Sequence, residues 1–207
     1  GSLDNGLLAR YDFEAINGGV FTDKSGNNRD STAHGATGVD SLGMVSRAAK
    51  LGGSGYLSAP SMLHNLPDHS QSFWICPEKD SIQNSNGIYR TIHATSAISS
   101  GISQSRFLGV RKFNGNEIWF LGDYRWDYNS GSPTSSFIGL NWTMPLGSSD
   151  SGKWHYFATV QTGGTAKVYV DGVEVASGAL AAIPPPASAN ASTSFTVGRS
   201  FPASAAT

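Results

Sequence analysis

Short apolar runs, each closed by glycine, asparagine or aspartate, recur along almost the whole chain. Aromatic and β-branched residues dominate these runs, which is typical of β-strands. They recur at intervals of roughly 10–15 residues, a spacing that predicts an antiparallel sandwich or barrel rather than alternating strands and helices. Only residues 42–49 and 176–183 lean towards helix. We therefore expect an all-β chain with less than about 10% helix.

Ten segments have this strand character. They are residues 7–13, 56–59, 70–76, 87–94, 106–113, 117–121, 154–161, 166–170, 173–176 and 194–198. Two of the intervals contain hairpin turn residues, Asn-Gly at residues 114–115 and Gly-Gly at residues 163–164. The apolar strand positions form the predicted core: Phe13, Leu51, Leu57, Phe73, Ile75, Phe107, Leu108, Phe157, Val168, Val170 and Val197.

Composition excludes several classes of function. Fourteen Lys and Arg against fifteen Asp and Glu give a net charge of −1, which is not the basic footprint of a nucleic-acid-binding protein. The single cysteine, Cys76, excludes an internal disulfide framework. No apolar stretch approaches the length of a membrane span, and the first residues lack the features of a signal peptide. We expect neither nucleic-acid binding nor membrane insertion.

Six segments also stand in a recognisable order. They read LARYDFE at residues 8–14, DKSGN at 23–27, AAKLGG at 48–53, QSFWI at 71–75, KWHYFA at 153–158 and KVYVDGV at 167–173. This series resembles the laminin-G-like branch of the concanavalin A-like lectin/glucanase jelly rolls, in its bacterial and phage form. The resemblance implies a two-sheet antiparallel jelly-roll sandwich over residues 6–200. Residues 1–5 are then a tag or linker, and residues 201–207 a tail.

One element of that family pattern is not found. The family closes with a strand of the type Gly-x-Ile-Asp-x-Val, which pairs near the first strand, whereas residues 199–207 contain no alternating apolar run. An unpaired strand edge is a feature that proteins usually avoid. We therefore expect that the closing strand is supplied from elsewhere or that its place is empty.

A calcium site is predicted near the N-terminus. Asp23 and Asn27 lie on either side of a glycine that lets the loop curl, and Asp12 and Glu14 precede them. Calcium prefers oxygen ligands from carboxylates, amides and backbone carbonyls, and members of the resembled branch often bind it at the matching loop. The alternative is an Asx-turn in which the Asp23 carboxylate caps its own loop.

The densest aromatic region is residues 119–142, and we interpret its part from Asp123 to Trp142 as a loop region that contacts a sugar. A sugar has an apolar C–H face and a polar edge, so its site needs aromatic rings beside carboxylate, amide or guanidinium groups. The predicted ligand-binding residues are Asp123, Tyr124, Arg125, Trp126, Asp127, Tyr128, Asn129 and Trp142. The alternative is that these rings cap one end of the sandwich.

Catalytic patterns are weak by comparison. A retaining glycosidase needs two carboxylates about 5 Å apart, and enzymes on this fold place them in a Glu-x-Asp-x-x-Glu strand. None of the glutamates Glu14, Glu78, Glu117 and Glu174 has that spacing. The sequence also has no Gly-x-Ser-x-Gly motif and no zinc-ligand spacing. We therefore do not expect an enzyme.

The leading hypothesis is a non-catalytic, lectin-like carbohydrate-binding module of an adhesin, secreted enzyme or phage tail protein. It would bind a glycan or polysaccharide, sit beside neighbouring domains of a larger chain, and act outside the cell or on a cell or virion surface. A structural or protein-interaction module of a surface protein is the alternative. A glycan hydrolase is the remote one.

Overall fold

The computed structural model describes residues 6–64, 66–77, 89–99, 102–113, 116–127, 134–143, 152–182 and 192–198. Within these residues the chain forms strands and no helix. The strands are β1 (Val20–Phe21), β2 (Ser31–His34), β3 (Thr37–Asp40), β4 (Ala48–Leu51), β5 (Tyr56–Ala59), β6 (His69–Ile75), β7 (Tyr89–Ser99), β8 (Ile102–Phe113), β9 (Asn116–Asp127), β10 (Thr134–Thr143), β11 (His155–Thr162), β12 (Thr165–Val170), β13 (Val173–Ala179) and β14 (Ser192–Val197).

These strands make two packed sheets and a separate ribbon. The large sheet has the order β1-β2-β5-β14-β7-β8-β9-β10, and the small sheet has the order β13-β12-β11-β6. Strands β3 and β4 pair only with each other within the described residues. Neighbouring strands run antiparallel throughout the described pairings. The predicted all-β, two-sheet antiparallel jelly roll is confirmed.

The main core lies between the two sheets. Side chains of β8 and β9, such as Leu108 and Trp119, meet side chains of β11 and β12, such as Phe157 and Val168. These four residues are completely buried. Successive strand residues point to opposite faces, so this contact defines an inner face and an outer face for each sheet. Burying one large apolar side chain contributes about 1.5–3 kcal/mol, so this layer dominates the stability of the fold.

Most of the predicted core is correct. The buried members are Leu57, Phe107, Leu108, Phe157, Val168 and Val170. The others are half-buried: Phe13, Leu51, Phe73, Ile75 and Val197. Half-burial of Phe73 and Ile75 follows from their position on β6, a strand with a described neighbour on one side only.

The predicted hairpins are present. Strands β11 and β12 pair up to Thr162 and Thr165, and the two glycines between them have φ values of 55° and 77°. Both glycines take left-handed backbone conformations that a residue with a Cβ rarely adopts, which explains their place in this tight turn. The Asp171-Gly172 turn between β12 and β13 has the same character, with φ values of 51° and 83°.

Three local predictions are wrong. Residues 7–13 form no strand, because their backbone bonds go to a loop: Arg10 N–H donates to the Asp23 carboxylate and Arg10 C=O accepts from Lys24 N–H. The region from Asp123 to Trp142 is not a loop, since most of its described residues belong to the paired strands β9 and β10. The alanine-rich segment begins as strand β13 instead of helix, because β12 pairs with it.

Strand β6 is an open edge. It pairs with β11 along its whole length, and no described strand lies on its other side. Residues 7–13 form no strand either, so the described residues contain no strand at the place beside which the expected closing strand would pair. Residues 199–207 lie outside the described residues, so supply of that strand from elsewhere stays a prediction.

Candidate functional site

The outer face of the large sheet carries a row of polar and aromatic side chains. Strand pairing aligns Thr32 with Ser58, and Ser58 with Thr196. The same pairing aligns His34 with Tyr56 at the end of β2. The neighbouring inward positions, Ala33 and Leu57, align with each other, and Leu57 is buried. Alternation along the strands therefore brings hydroxyls and rings from three segments, distant in sequence, onto one surface.

His34, Tyr56 and Ser58 form the most defined cluster on this face. The rings of His34 and Tyr56 stack with centroids 4.4 Å apart and an angle of 12° between their planes. His34 Nε2 lies 2.8 Å from Ser58 Oγ, a hydrogen bond that holds the imidazole against the sheet. All three side chains are half-buried, so part of each faces solvent. We call these residues the His34 cluster.

The end of β2 is fixed by local geometry. Gly35 has a φ of 59°, and a Cβ at this position would lie 2.7 Å from the Ser54 carbonyl oxygen. Only glycine fits this close approach. Thr37 Oγ1 donates to the His34 carbonyl at 2.7 Å. The chain therefore turns sharply after His34, and the imidazole is held at a fixed place beside Tyr56.

Further along the outer face the residues are buried. Ala94, Phe107 and Phe120 form a second apolar cluster, separate from the main core. The two phenylalanine rings meet edge to face at 4.9 Å. Beside them, the hydroxyls of Ser96 and Ser105 are hydrogen-bonded at 2.8 Å and are also buried. Among the described side chains of this face, those of β2 and β5 at one end and of Asn141 on β10 at the other are open to solvent.

Strand alternation divides the predicted ligand-binding residues between two faces. Positions 124 and 126 share the outer face with Phe120, and positions 123, 125 and 127 share the opposite face with Leu121. The structure describes residues 124–127 by their backbone alone. Tyr124 pairs with Ser105 and Trp126 with Ser103. Tyr128 and Asn129 lie outside the described residues. The described positions 123–127 are therefore divided between the two faces of the large sheet.

Two predicted contact residues lie inside the sandwich. Trp142 pairs with Trp119 across the strands, is 8% exposed and belongs to the main core. Its ring is therefore not a surface platform in this structure. Asp123 is on the inner face and accepts two hydrogen bonds from Arg106, at 2.7 and 2.6 Å.

Arg106 is the centre of a buried polar network. It is 3% exposed, and its remaining donors reach Gln161 Oε1 at 2.5 Å and the Ala181 carbonyl at 2.6 Å. Gln161 in turn donates to the carbonyls of Leu180 and Ala181. A buried charge needs this kind of complete pairing. The network ties β8, β9 and β11 to the segment after β13, which is a structural role for Asp123.

The predicted calcium loop is held together by Asp23. Its two carboxylate oxygens accept bonds from the backbone N–H groups of Arg10, Ser25 and Arg29 and from the Ser25 hydroxyl. Burial alone would raise the pKa of Asp23, but these four donors outweigh it and lower the pKa to about 2. An ionised carboxylate has about four acceptor positions. The donors occupy them all.

The other predicted calcium ligands have similar partners. Asn27 Nδ2 donates to the Leu7 carbonyl at 2.7 Å, and an Asp12 oxygen accepts from Glu14 N–H. Glu14 in turn contacts Arg47. Among the described residues, no group of three or more His, Cys, Asp or Glu is arranged to hold a metal. As they stand, these residues do not fit a calcium site, and calcium remains a prediction.

The outer face of the large sheet also has no acidic strand position. The positions that alternation assigns to it include one basic residue, Arg111, and otherwise uncharged residues such as Thr32, His34, Tyr56, Ser58, Ala94, Ser96, Ser105, Phe107, Gly109, Ile118, Phe120, Gly122, Tyr124, Trp126, Gly139, Asn141, Ser194 and Thr196. None of these described strand positions is Asp or Glu. A glycosidase needs a pair of carboxylates that flank the scissile bond, and these described positions supply none.

The His34 cluster was missed in the sequence. His34 and Tyr56 are in separate short strands, and neither lies in an aromatic-rich window. The alternation of Tyr56 with Leu57 marks one strand, but the partner of that strand is not apparent from the sequence. Only the β2–β5 pairing brings the two rings together.

No helix in the described part of the chain is long and apolar enough to cross a membrane. A family model described as Concanavalin A-like lectin/glucanases superfamily, of the laminin G type, matches residues 51–207. A comparison with curated proteins finds no match.

Solved structures give similar folds. Domain 4 of AbnA, a GH43 extracellular arabinanase from Geobacillus stearothermophilus solved with arabinotriose, has a TM-score of 0.57 and 21% identity, covering 97% of this chain and 82% of that one. The kappa-carrageenase from Pseudoalteromonas carrageenovora, solved with an oligotetrasaccharide, has a TM-score of 0.44 and 11% identity over 90% of this chain and 73% of that one. The first likeness supports the fold, and the second is too distant for any argument.

Proposed function

Because the chain belongs to the concanavalin A-like lectin/glucanases superfamily, we propose that it is a non-catalytic carbohydrate-binding module that contacts a glycan on the outer face of the large sheet. This fold is shared by carbohydrate-binding domains and glycoside hydrolases, so the fold alone does not decide between them. The proposal rests on the outer face itself, which combines rings and hydroxyls with an absence of acidic strand positions among the described residues.

The chemistry of that face fits a sugar. The stacked rings of His34 and Tyr56 offer an apolar surface for a C–H face, and the Ser58 hydroxyl and imidazole beside them can exchange hydrogen bonds with sugar hydroxyls. Positions 124 and 126, a tyrosine and a tryptophan, share this face at the far side of the sheet. We retain these two as proposed contacts. The mainly uncharged side chains favour a neutral glycan.

The biological setting is part of the same proposal. A glycan-binding module acts where polysaccharide is found, so we place the protein outside the cell or on a cell or virion surface, beside other domains of a larger chain. The AbnA domain belongs to an extracellular arabinanase and was solved with arabinotriose. Arabinan is therefore a rational first ligand to test, together with other neutral polysaccharides such as laminarin and galactan.

Affinity electrophoresis in gels that contain each polysaccharide tests the proposal. Wild-type protein should be retarded by at least one of them. Tyr56→Ala and Trp126→Ala should each reduce the retardation, while Val173→Ala, which shortens a 65% exposed side chain on the small sheet, should not. The melting temperature of each variant is measured in parallel, so that a loss of glycan binding can be distinguished from a loss of folding. Retardation that is equal in all variants would place the glycan elsewhere.

One observation favours the second candidate function, a protein-interaction module. The connection between β3 and β4 exposes Leu42 by 77%, Met44 by 48% and Val45 by 91%. Exposed apolar side chains that cluster in one loop are typical of protein contact sites. Two results together would favour this role over glycan binding. The wild-type protein would bind no polysaccharide, and it would bind a neighbouring domain of its own parent chain. Leu42→Ser and Val45→Ser would abolish that binding.

A further inference from the structure

A second aromatic surface lies on the outer face of the small sheet. Phe157 on β11 and Val168 on β12 point into the core. Alternation therefore directs Trp74, Tyr156 and Tyr169 to the opposite side. Trp74 pairs with Tyr156 across the strands, and their ring centroids are 5.1 Å apart. This face is separated from the outer face of the large sheet by the whole thickness of the sandwich.

Trp74 is unusual in its exposure. It is 44% exposed, although it is a regularly paired residue of β6, next to the last residue of that strand. By contrast, Trp119 and Trp142 are buried in the core. An exposed tryptophan forgoes the hydrophobic stabilisation that burial gives, and several exposed rings together mark a contact surface. The neighbouring outer positions on β6, Ser70 and Ser72, are small, polar and exposed, so they leave the indole accessible.

Tyr156 is held rigidly beside it. Asp171 N–H donates to the Tyr156 carbonyl at 2.8 Å, and Tyr156 N–H donates to Asp171 Oδ1 at 2.9 Å. The other Asp171 oxygen is hydrogen-bonded to His155 Nδ1 at 2.7 Å. The bonds from His155 and from Tyr156 N–H keep the pKa of Asp171 below its usual value, although partial burial acts in the opposite direction. These bonds fix the backbone of Tyr156, so its main chain loses little conformational freedom when a ligand stacks on the ring.

The charges on this face compensate one another. Lys167 Nζ lies 2.9 Å from Glu174 Oε2, and the Tyr169 hydroxyl donates to the same carboxylate at 3.4 Å. Asp171 is paired with His155. Among the described residues, the Lys167–Glu174 pair therefore adds no net charge beside the rings. Aromatic rings among hydroxyls and neutralised charges complement an uncharged sugar chain.

We infer that Trp74 and Tyr156 form a second glycan-contact surface that takes an uncharged polysaccharide chain. This inference rests on the proposed function and extends it, since the protein would then contact two chains from opposite sides of the sandwich. A monomer with two such surfaces cross-links long polysaccharides. A monomer with one surface binds them without cross-linking.

The test measures retardation and cross-linking together. Neutral polysaccharides (arabinan, laminarin and galactan) are used in affinity gels and in turbidity measurements with wild-type protein, Trp74→Ala and Trp74→Tyr. We expect Trp74→Ala to weaken the retardation by about tenfold and to abolish turbidity, whereas Trp74→Tyr keeps a ring and retains both. Ile138→Ala is the matched control, because it shortens a 69% exposed apolar side chain on the large sheet.

A second measurement needs no variant. Oxidation of the wild-type protein with N-bromosuccinimide, followed by peptide mass spectrometry, reports the accessibility of each tryptophan. Bound polysaccharide should slow the oxidation of Trp74. The inference would be overturned if the oxidation of Trp74 were equally fast with and without polysaccharide. It would also be overturned if Trp74→Ala bound and cross-linked polysaccharide like wild type while Tyr56→Ala lost binding. In that second case the proposed function would stand without the second surface. A change of oligomeric state in Trp74→Ala without loss of binding would also overturn it, since the surface would then be a protein interface. Wild-type protein that binds no polysaccharide would overturn both.

Discussion

Substitution of Asp123 by alanine distinguishes a structural carboxylate from a ligand-binding one. The Arg106 guanidinium that Asp123 pairs with is 3% exposed, and the two bonds between them are 2.7 and 2.6 Å long. Removing one partner of a buried ion pair costs about 3–5 kcal/mol, because the other charge is left buried without compensation. The Asp123 side chain is 33% exposed. Water can then partly replace it, so we expect a loss near the lower limit, about 3 kcal/mol.

Urea denaturation followed by tryptophan fluorescence measures this loss. With a denaturant dependence of about 2 kcal/mol per molar, a loss of about 3 kcal/mol lowers the midpoint by about 1.5 M. Arg106→Met with Asp123→Ala completes a double-mutant cycle, in which the double variant should be no less stable than Arg106→Met alone. The control is Lys167→Met, which breaks a pair exposed at both ends and should cost less than about 1 kcal/mol.

The reasoning would be refuted by a midpoint shift of less than about 0.5 M in Asp123→Ala, or by additive losses in the cycle. Either result would mean that the carboxylate is not needed by Arg106 and is free for a ligand. Reduced polysaccharide binding in Asp123→Ala supports a ligand contact only at urea concentrations or temperatures where the variant remains folded.

Three further predictions concern protons and metal. The pKa of Asp23 is lowered to about 2 in the folded protein, so the stability that this carboxylate contributes is present above about pH 4 and lost as the pH falls towards 2. Asp23→Asn should therefore make the free energy of unfolding depend less on pH in this range. An unchanged pH dependence in Asp23→Asn would contradict the prediction. Burial lowers the pKa of His93 to about 4 in the folded protein, so as the pH falls the unfolded chain binds the proton first. The free energy of unfolding should therefore fall between about pH 6.5 and 4. In acid titrations followed by circular dichroism, His93→Leu should remove this pH dependence. The calcium hypothesis requires a melting temperature that calcium raises and EDTA lowers again, through a rearrangement that frees the Asp23 oxygens from their present donors. No response in wild type, or an equal response in Asp23→Ala, would leave Asp23 as a loop anchor alone.

Most of the fold could be predicted because it depends on local signals. Strand residues alternate, and turns need glycine or asparagine, so β5, β8 and β12 are found near their true positions. Residues 7–13 mislead because they alternate like a strand although no described strand pairs with them. The alanines of β13 mislead in the opposite sense, since pairing with β12 overrides their helix propensity.

The candidate site could be predicted only in part, because a site on a sheet depends on pairing between distant strands. The aromatic window of residues 119–142 is visible in the sequence, but alternation places its members on two faces, and the strand order decides which face is buried. His34 and Tyr56 give no local signal that their rings meet, because that contact depends on the β2–β5 pairing. Asp23 shows a different limit: a carboxylate in a glycine-containing loop looks the same whether it binds calcium or caps backbone N–H groups.

The carboxylates that the structure describes are engaged in holding the fold itself. Each Asp or Glu whose side chain the structure describes has a hydrogen-bond partner, in a loop, a turn or an ion pair: Asp12, Glu14, Asp23, Asp30, Asp40, Asp68, Asp123, Asp171 and Glu174. A general acid needs a raised pKa, whereas the resolved shifts of Asp23, Asp40, Asp171 and Glu174 all lower the pKa. These groups stabilise loops and strand ends in their ionised form. The described surfaces that combine rings with hydroxyls lie around His34 and around Trp74, and these are the surfaces on which the proposed glycan contact can be tested.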